Sequence, residues 1–380
     1  MRVIIAGGGT GGHIYPALAI AGGLRQRHPE AEILYVGTSR GMEADLVPRA
    51  GFPFTTIPVA GLKRRLSPSN IMALWQAGQG FLASRAILRD FAPQVVVGTG
   101  GYVCGPVILA AALSRVPTLI HEQNALPGLT NRLLSRFATK TALTFIEARR
   151  HLPPGARVIL TGLPVRPEIL GARRDEARAA LGAAAGEFVL VSFGGSLGAQ
   201  SINSAYRDVV RAFAGRKGFR LFHATGEQGY SAFIEDLHAT GLDPDSLPNV
   251  TVAPYFHAIA GLLAAADLVI CRAGASTIAE LTVLGLPSIL IPYPYATGNH
   301  QEYNARALER RGAAVVIRDA DLDGAVLVSM ITSLARADKE RRAAMAAAAR
   351  AMGKPRALEN LLDAIDRLAR SSRDKGRGCQ

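Results

Sequence analysis

Aromatic side chains are scarce. Phe, Trp and Tyr make up 6% of the 380 residues, and Trp75 is the single tryptophan. Small residues, alanine and glycine above all, fill the space, which suits parallel sheets covered by close-packed helices. The scarcity also removes the stacking pattern expected of a single-stranded nucleic-acid binder. Cysteine is scarcer: Cys104, Cys271 and Cys379 are odd in number and far apart. Neither a disulfide framework nor a metal-ligand spacing follows, so a reducing cytosol is expected. No uncharged apolar run reaches bilayer length. Val103 to Leu113 is one of the longest, and Gly105-Pro106 interrupts it. No leader pattern precedes the first apolar run, so none is expected. Acidic residues are outnumbered, with a net charge of +13. The excess is uneven: residues 1–165 hold 17 Lys and Arg against 7 Asp and Glu, and the remainder is nearly balanced. An anionic partner is therefore expected on the first half: nucleic acid, acidic lipid or a phosphorylated substrate.

What is present is regular. At 49% hydrophobic residues, the chain is long enough for two ordinary cores. Short apolar runs at Ile33–Val36, Val95–Val97 and Thr118–His121 alternate with helical stretches, which implies a parallel sheet with right-handed crossovers. The pattern then restarts at Phe188–Phe193. Later pieces recur as well: Val95 to Gly101 reads like Leu268 to Gly274, and Val116 to Ile120 reads like Leu286 to Leu290. We expect an α/β chain of two Rossmann-like, doubly wound domains facing across a cleft. The expected boundaries are 1–163 and 164–350, joined near Pro164 to Pro167. A final helix over 355–370 can pack on either domain, and 371–380 reads as a frayed basic tail.

The organising stretch is Arg2 to Pro16. A short apolar strand runs into Gly7-Gly8-Gly9-Thr10-Gly11-Gly12-His13, and Pro16 marks the expected helix start. Such a loop brings backbone N–H groups and the positive end of a helix close to a ligand. Gly7, Gly9 and Gly12 satisfy the dinucleotide pattern, but that reading needs a carboxylate ending the second strand. That strand ends Val36-Gly37-Thr38, and Glu32 lies at its other end. A purely structural turn needs fewer glycines. His13 adds a titratable group.

In the second half, Arg272-Ala273-Gly274-Ala275-Ser276-Thr277 leaves a strand and opens a helix. The Ser276 and Thr277 hydroxyls with backbone N–H groups can hold a pyrophosphate, and Glu280, a turn deeper, can accept ribose hydroxyls. A capping box led by Ser276 or Thr277 accounts for the same residues. Thr297 to Asn304 is rich in amides, suited to sugar hydroxyls. In the first half, His121-Glu122-Gln123-Asn124 ends a strand with more polar side chains than structure requires. The acidic triplets at Asp243 and Asp321 read as turns or caps, and no metal site is expected.

Six segments then carry a resemblance: Gly8 to His13, Gly101 to Pro106, His121 to Asn124, Gly162 to Arg166, Gly194 to Ala199, and Cys271 to Thr277. In this order the sequence resembles the MurG family, the N-acetylglucosaminyltransferases that complete lipid II in peptidoglycan synthesis. The resemblance runs to about residue 370. Leu163 departs from it, since the family has asparagine there. It implies the glycosyltransferase B fold and an inverting, single-displacement transfer. N-acetylglucosamine would pass from UDP-N-acetylglucosamine to the muramoyl 4-hydroxyl of lipid I, with no cofactor. It places the donor mainly on the C-terminal domain, with Ser196 on phosphate, Glu280 on ribose, Gln301 on the sugar and Arg166 at the joint. Thr10, Gly11, Gly12 and Asn124 would close on the nucleotide sugar or the acceptor pyrophosphate. Tyr102, His121 and Glu122 are acceptor-side candidates. His13 is the candidate base, because imidazole titrates near neutral pH, and substrate orientation is its alternative role.

A lipid-linked acceptor implies a peripheral protein on the cytoplasmic face of the bacterial membrane, alongside other cell-wall synthesis proteins. Lys63-Arg64-Arg65 precedes a helix start, and Ile71, Leu74, Trp75, Gly78 and Leu82 follow at helical spacing, with Arg85 and Arg89 beyond. This suits an interfacial helix on an anionic surface. A crossover helix burying that face on its own sheet fits the same spacing. Two other function classes share the pattern: a different nucleotide-sugar enzyme, such as a UDP-N-acetylglucosamine 2-epimerase or small-molecule glycosyltransferase, and a non-catalytic nucleotide-binding scaffold.

Overall fold

A computed structural model describes residues 1–61, 68–195, 197–337 and 339–377. It divides into two compact units, Met1–Pro164 with Arg356 onward, and Val165–Pro355.

The first unit has seven strands: β1 (Arg2–Gly7), β2 (Glu32–Gly37), β3 (Phe54–Thr56), β4 (Val95–Gly100), β5 (Thr118–Glu122), β6 (Lys140–Leu143) and β7 (Val158–Leu160). They form one sheet in the order β3-β2-β1-β4-β5-β6-β7, and every pairing is parallel. Period-2 geometry explains why β1 is apolar throughout. Val3 and Ile5 face one core, shared with the helix α1 (Gly11–Arg27), while Ile4 and Ala6 face another. That second core is completed from α3 (Pro68–Phe91) and α4 (Cys104–Leu113). Two shorter helices matter to the site: α2 (Glu43–Arg49) and α5 (Leu129–Leu134).

The second unit repeats the plan. Its strands are β8 (Phe188–Phe193), β9 (Phe219–Ala224), β10 (Val250–Ala253), β11 (Leu268–Cys271), β12 (Ser288–Leu290) and β13 (Ala314–Val316), in the order β10-β9-β8-β11-β12-β13, again all parallel. The helix Gln200–Phe213 lays Ile202, Tyr206, Val209, Val210 and Phe213 on this sheet at 3–4-residue spacing. In both sheets the strand order reverses beside the first strand, at β1/β4 and β8/β11. In open parallel sheets ligands bind beyond the strand C-termini at that point.

Three expectations change. Helix α1 starts at Gly11, not at Pro16, so the proline lies inside it. Turning needs only the stretch before Gly11, and the proline falls just past the first turn, where it removes a single hydrogen bond. The neighbouring carbonyl of His13 is taken by the Thr99 hydroxyl at 2.9 Å. At the far end, the chain is helical over Ala357–Arg377, where a frayed tail was expected from residue 371. Leu361, Leu362, Ile365 and Leu368 of that helix are buried in the α1 core, which assigns it to the first unit. Finally, the apolar stripe of α3 is not buried on its sheet: Ile71, Leu74, Trp75 and Leu82 are 61–74% exposed, and Ala73, Ser84 and Leu88 face inward instead.

Candidate active site

In the first unit the site is the set of loops beyond β1, β4 and β5. The glycine loop is held from behind by a residue that no motif marks. Glu43, at the start of α2, is fully buried, and its carboxylate accepts from the N–H groups of Gly9 (3.1 Å) and Thr38 (3.1 Å) and from the Thr38 hydroxyl (2.7 Å). Gly8 donates to the Gly100 carbonyl. Those two N–H groups are therefore committed to the protein. What the loop can offer a ligand is the first turn of α1, where helix geometry leaves the N–H groups of Gly11 and Gly12 without intrahelical partners. Thr10, the residue before the helix, makes no side-chain cap and is exposed. Tyr102, half-buried, has its ring edge beside Gly9.

His13 is half-buried on the second half-turn of α1. Its Nδ1 lies 3.1 Å from the Thr99 carbonyl and 3.2 Å from Gln123 Oε1. The ring lies against the end of β4, which only glycine permits. A Cβ on Gly100 would stand 2.6 Å from Nδ1, and Gly100 has φ +120°.

The segment His121 to Asn124, expected to supply site residues, is largely buried. His121 is completely buried, with Nε2 3.0 Å from the Gly162 carbonyl, and burial pushes its pKa down to about 4. Glu122 is also buried. It accepts from the N–H groups of Asn124 (2.9 Å) and Gly128 (3.1 Å) and from Asn131 Nδ2 (2.9 Å). Burial raises its pKa, and those donors oppose the rise. Two of the three acceptor-side candidates are thus tied to the protein itself: His121 braces the chain at Gly162, and Glu122 ties down the loop after β5. Asn124, at that loop's start, is half-buried rather than buried. Leu163 is buried, so the missing asparagine is replaced by packing.

In the second unit the helix Ala275–Leu284 begins three residues after β11, with Gly274 as its cap residue and no side-chain cap. The capping-box reading therefore fails, because Ser276 and Thr277 are already inside the first turn. Ser276 is exposed and Thr277 half-buried. One turn on, Glu280 accepts from Arg166 Nε at 2.8 Å, a pair in which the carboxylate is largely shielded and the guanidinium half-exposed. That hydrogen bond raises the pKa of Arg166. Gln301 Oε1 accepts from the N–H groups of Ala273 (3.1 Å) and Tyr293 (2.9 Å). Its oxygen thus ties two loops together, and its NH2 is the donor end of the amide. Arg272 is structural: it spans the carbonyls of Ile291 and Pro292, the Ser201 hydroxyl and Asp319. A Cβ on Gly198 would meet the Thr225 carbonyl at 2.1 Å, so the second glycine turn is as sterically constrained as the first. Ser196, expected on phosphate, lies outside the described residues, as do Lys63, Arg64 and Arg65.

Both cysteines within the described residues are buried. The Cys104 thiol donates to the carbonyls of Ala6 and Gly100, and burial raises its pKa to about 12. Among the described residues no three His, Cys, Asp or Glu side chains converge as a metal site.

Two Rossmann-like units, each built on a parallel sheet with a glycine turn at its switch point, are the plan of the glycosyltransferase B fold. The chain matches the N-terminal domain of glycosyltransferase family 28 over residues 3–143 and its C-terminal domain over residues 189–361. A protein of Desulforudis audaxviator is 64% identical over 97% of this chain and 99% of its own length. It is named UDP-N-acetylglucosamine–N-acetylmuramyl-(pentapeptide) pyrophosphoryl-undecaprenol N-acetylglucosamine transferase. A relative of the same name from Desulforamulus reducens is 50% identical over 97% of this chain and 99% of its own. The crystal structure of Acinetobacter baumannii MurG superposes with a TM-score of 0.79 at 30% identity, covering 96% of this chain and 99% of that one. The chain belongs to the MurG family of N-acetylglucosaminyltransferases.

Proposed function

We propose that this chain transfers N-acetylglucosamine from UDP-N-acetylglucosamine to the 4-hydroxyl of the N-acetylmuramoyl-pentapeptide on undecaprenyl pyrophosphate, the lipid I to lipid II step. The observation that carries the reading is 64% identity, over 97% of this chain, to a relative named for that reaction. The roles assigned to residues rest on the geometry above. In the second unit, the N–H groups opening the helix Ala275–Leu284, with Ser276 and Thr277, receive the pyrophosphate. Glu280 takes the ribose hydroxyls, Arg166 follows the diphosphate, and the Gln301 NH2 meets the sugar. In the first unit, Gly11, Gly12 and Thr10 with Asn124 hold the acceptor's pyrophosphate and sugar, and Tyr102 lines the approach. His13 takes the proton of the 4-hydroxyl as that oxygen attacks the anomeric carbon. The bond to UDP breaks on the opposite face, with inversion, and helix N-termini and Arg166 receive the departing charge.

We assign the bilayer contact to α3 and its neighbours. α3 packs on α4 and α4 on α5. Along this row Ile71, Leu74, Trp75, Leu82, Leu113, Leu129 and Leu133 are each 60% exposed or more. Arg85 and Arg89 on α3 and Arg132 on α5 supply positive charge. No helix of the described residues is long and apolar enough to cross a membrane. The arrangement fits a surface-lying contact with an anionic bilayer at the cytoplasmic face.

The test is UDP release from UDP-N-acetylglucosamine with and without a short-chain lipid I analogue. Release that requires the analogue, with one disaccharide formed per UDP, is expected. Acceptor-independent isomerisation of the sugar would instead identify an epimerase, and UDP binding without turnover a scaffold.

A further inference from the structure

The hydrogen bonds around His13 determine where its proton sits, and Gln123 is the residue that transmits the constraint. Gln123 Nε2 lies 2.8 Å from the Thr99 carbonyl and 3.1 Å from the His121 carbonyl, two atoms that can only accept. The NH2 end of the amide must face them, so the orientation of the carboxamide has no alternative. Its oxygen then faces His13 Nδ1 at 3.2 Å, and the second neighbour of Nδ1, the Thr99 carbonyl at 3.1 Å, is also a pure acceptor. Two acceptors place the proton on Nδ1 and the lone pair on Nε2. The far side of the amide is fixed in the same way. His121 Nε2 faces the Gly162 carbonyl, so it carries that ring's proton, and Nδ1 accepts from Gln123 Nε2 at 3.2 Å.

We propose that Gln123, backed by His121, is a positioning residue that fixes His13 in the Nδ1–H tautomer, so that Nε2 is the atom that takes the acceptor proton, and that it stabilises the imidazolium formed in that step. The proposal rests on the assignment of His13 as base. The proton arrives at Nε2 from the sugar hydroxyl, and Nδ1–H stays in place, now hydrogen-bonded from a cation to two oxygens. Charge-assisted bonds of this kind are about twice as strong as neutral ones, so both oxygens favour the protonated ring.

Among the described residues, the other ionisable groups of these loops have tasks of their own. His121 lies behind Gln123 and, with its pKa near 4, stays neutral through the working range. Glu122 is held by Asn124, Gly128 and Asn131, and Glu43 by Gly9 and Thr38. Cys104 is bound between Ala6 and Gly100, Tyr102 sits beside Gly9, and Tyr15 on the same helix is exposed.

Three measurements test the proposal. Long-range 1H–15N correlation spectra of the 15N-histidine-labelled wild-type protein, with His13 assigned by its loss in His13→Ala, should show the Nδ1–H tautomer above its titration. An Nε2–H signature overturns the proposal without any variant having to fold. Gln123→Met keeps the side-chain length and removes both hydrogen-bonding ends. It should lower kcat roughly tenfold, leave KM for UDP-N-acetylglucosamine unchanged, and move the acid limb of the kcat/KM–pH profile down by about one pH unit, because the imidazolium loses an acceptor. A variant with the wild-type limb refutes the role of Gln123 even if kcat falls, since a merely structural defect moves the rate and not the midpoint. His13→Ala separates the two layers of the argument. Near-normal turnover with the limb intact removes the base assignment and the relay with it. Loss of turnover together with an unshifted limb in Gln123→Met removes the relay alone.

Discussion

Replacing Leu74 and Trp75 together by serine removes two apolar side chains that are 62% and 61% exposed on α3. Fully burying a large apolar side chain is worth about 1.5–3 kcal/mol, so the exposed three-fifths of each is worth about 1–2 kcal/mol, or about 3 kcal/mol for the pair. At 1.4 kcal/mol per factor of ten, that is roughly a hundredfold loss in partitioning to vesicles. The fold should not notice, because neither side chain contributes its exposed area to the core, and surface changes of this kind stay within about 0.5 kcal/mol. The assay is flotation with vesicles containing anionic lipid, run beside a thermal melt and beside kcat/KM on a short-chain lipid I analogue free in solution. The expected outcome is weak flotation with an unchanged melt and an unchanged rate on the soluble analogue. Wild-type flotation by the double variant would refute the assignment of this face to the bilayer.

Reversing Lys63, Arg64 and Arg65 to glutamate should weaken vesicle binding further and make the residual binding insensitive to salt, because each basic residue near an anionic surface contributes about 1 kcal/mol. Gly100→Ala places a methyl group against the His13 ring at a backbone angle that disfavours side chains. It should lower kcat on the order of a hundredfold with KM for the donor unchanged in steady-state assays. Asn131→Ala strips one donor from the buried Glu122 carboxylate and should cost about 1.5–3 kcal/mol in urea unfolding. His121 and His223 are buried neutral, with desolvation pushing their pKa values down to about 4 and about 3. An unfolded histidine binds a proton near pH 6.5. Folding stability from these groups is therefore complete above that pH and is lost as the pH falls toward the folded values, by about 2 kcal/mol per histidine at pH 5. Unfolding curves at pH 7.5 and 5 measure the loss, and His223→Phe, which keeps the stack on Tyr206, should halve it.

The repeats were the most legible part of the sequence. The resemblance of Val95–Gly101 to Leu268–Gly274 marked β4 and β11, which hold the same place beside the first strand of each sheet. Periodicity could not place the start of α1, because glycine and proline mask it. It also could not decide which face of α3 is buried, since Ala73 and Ser84, not the larger side chains, face inward. The site was legible as residue types but not as tasks. His121 and Glu122 stood out because they are polar, and burial makes them internal supports. Glu43 was invisible, because it becomes a neighbour of the glycine loop only when β1 and β2 pair and bring the start of α2 beneath Gly9. Gln123 could be noted in sequence, but its role depends on two carbonyls and a ring nitrogen contributed by separate strands and helices.

The helix Ala357–Arg377 seals the α1 core of a unit whose sheet is complete by residue 160. On the ribosome, that sheet and its other helices emerge while nearly two hundred further residues are still to be made. Until they are, the surface of α1 at Gly23 and Arg27, which meets Leu358, Leu362, Asp363 and Asp366, lacks its cover, so the unit that carries His13 and α3 finishes folding only once residues 357–377 have been made. Stop codons placed between residues 317 and 356 should therefore yield a sticky, chaperone-dependent product, even though every strand of both sheets has been translated.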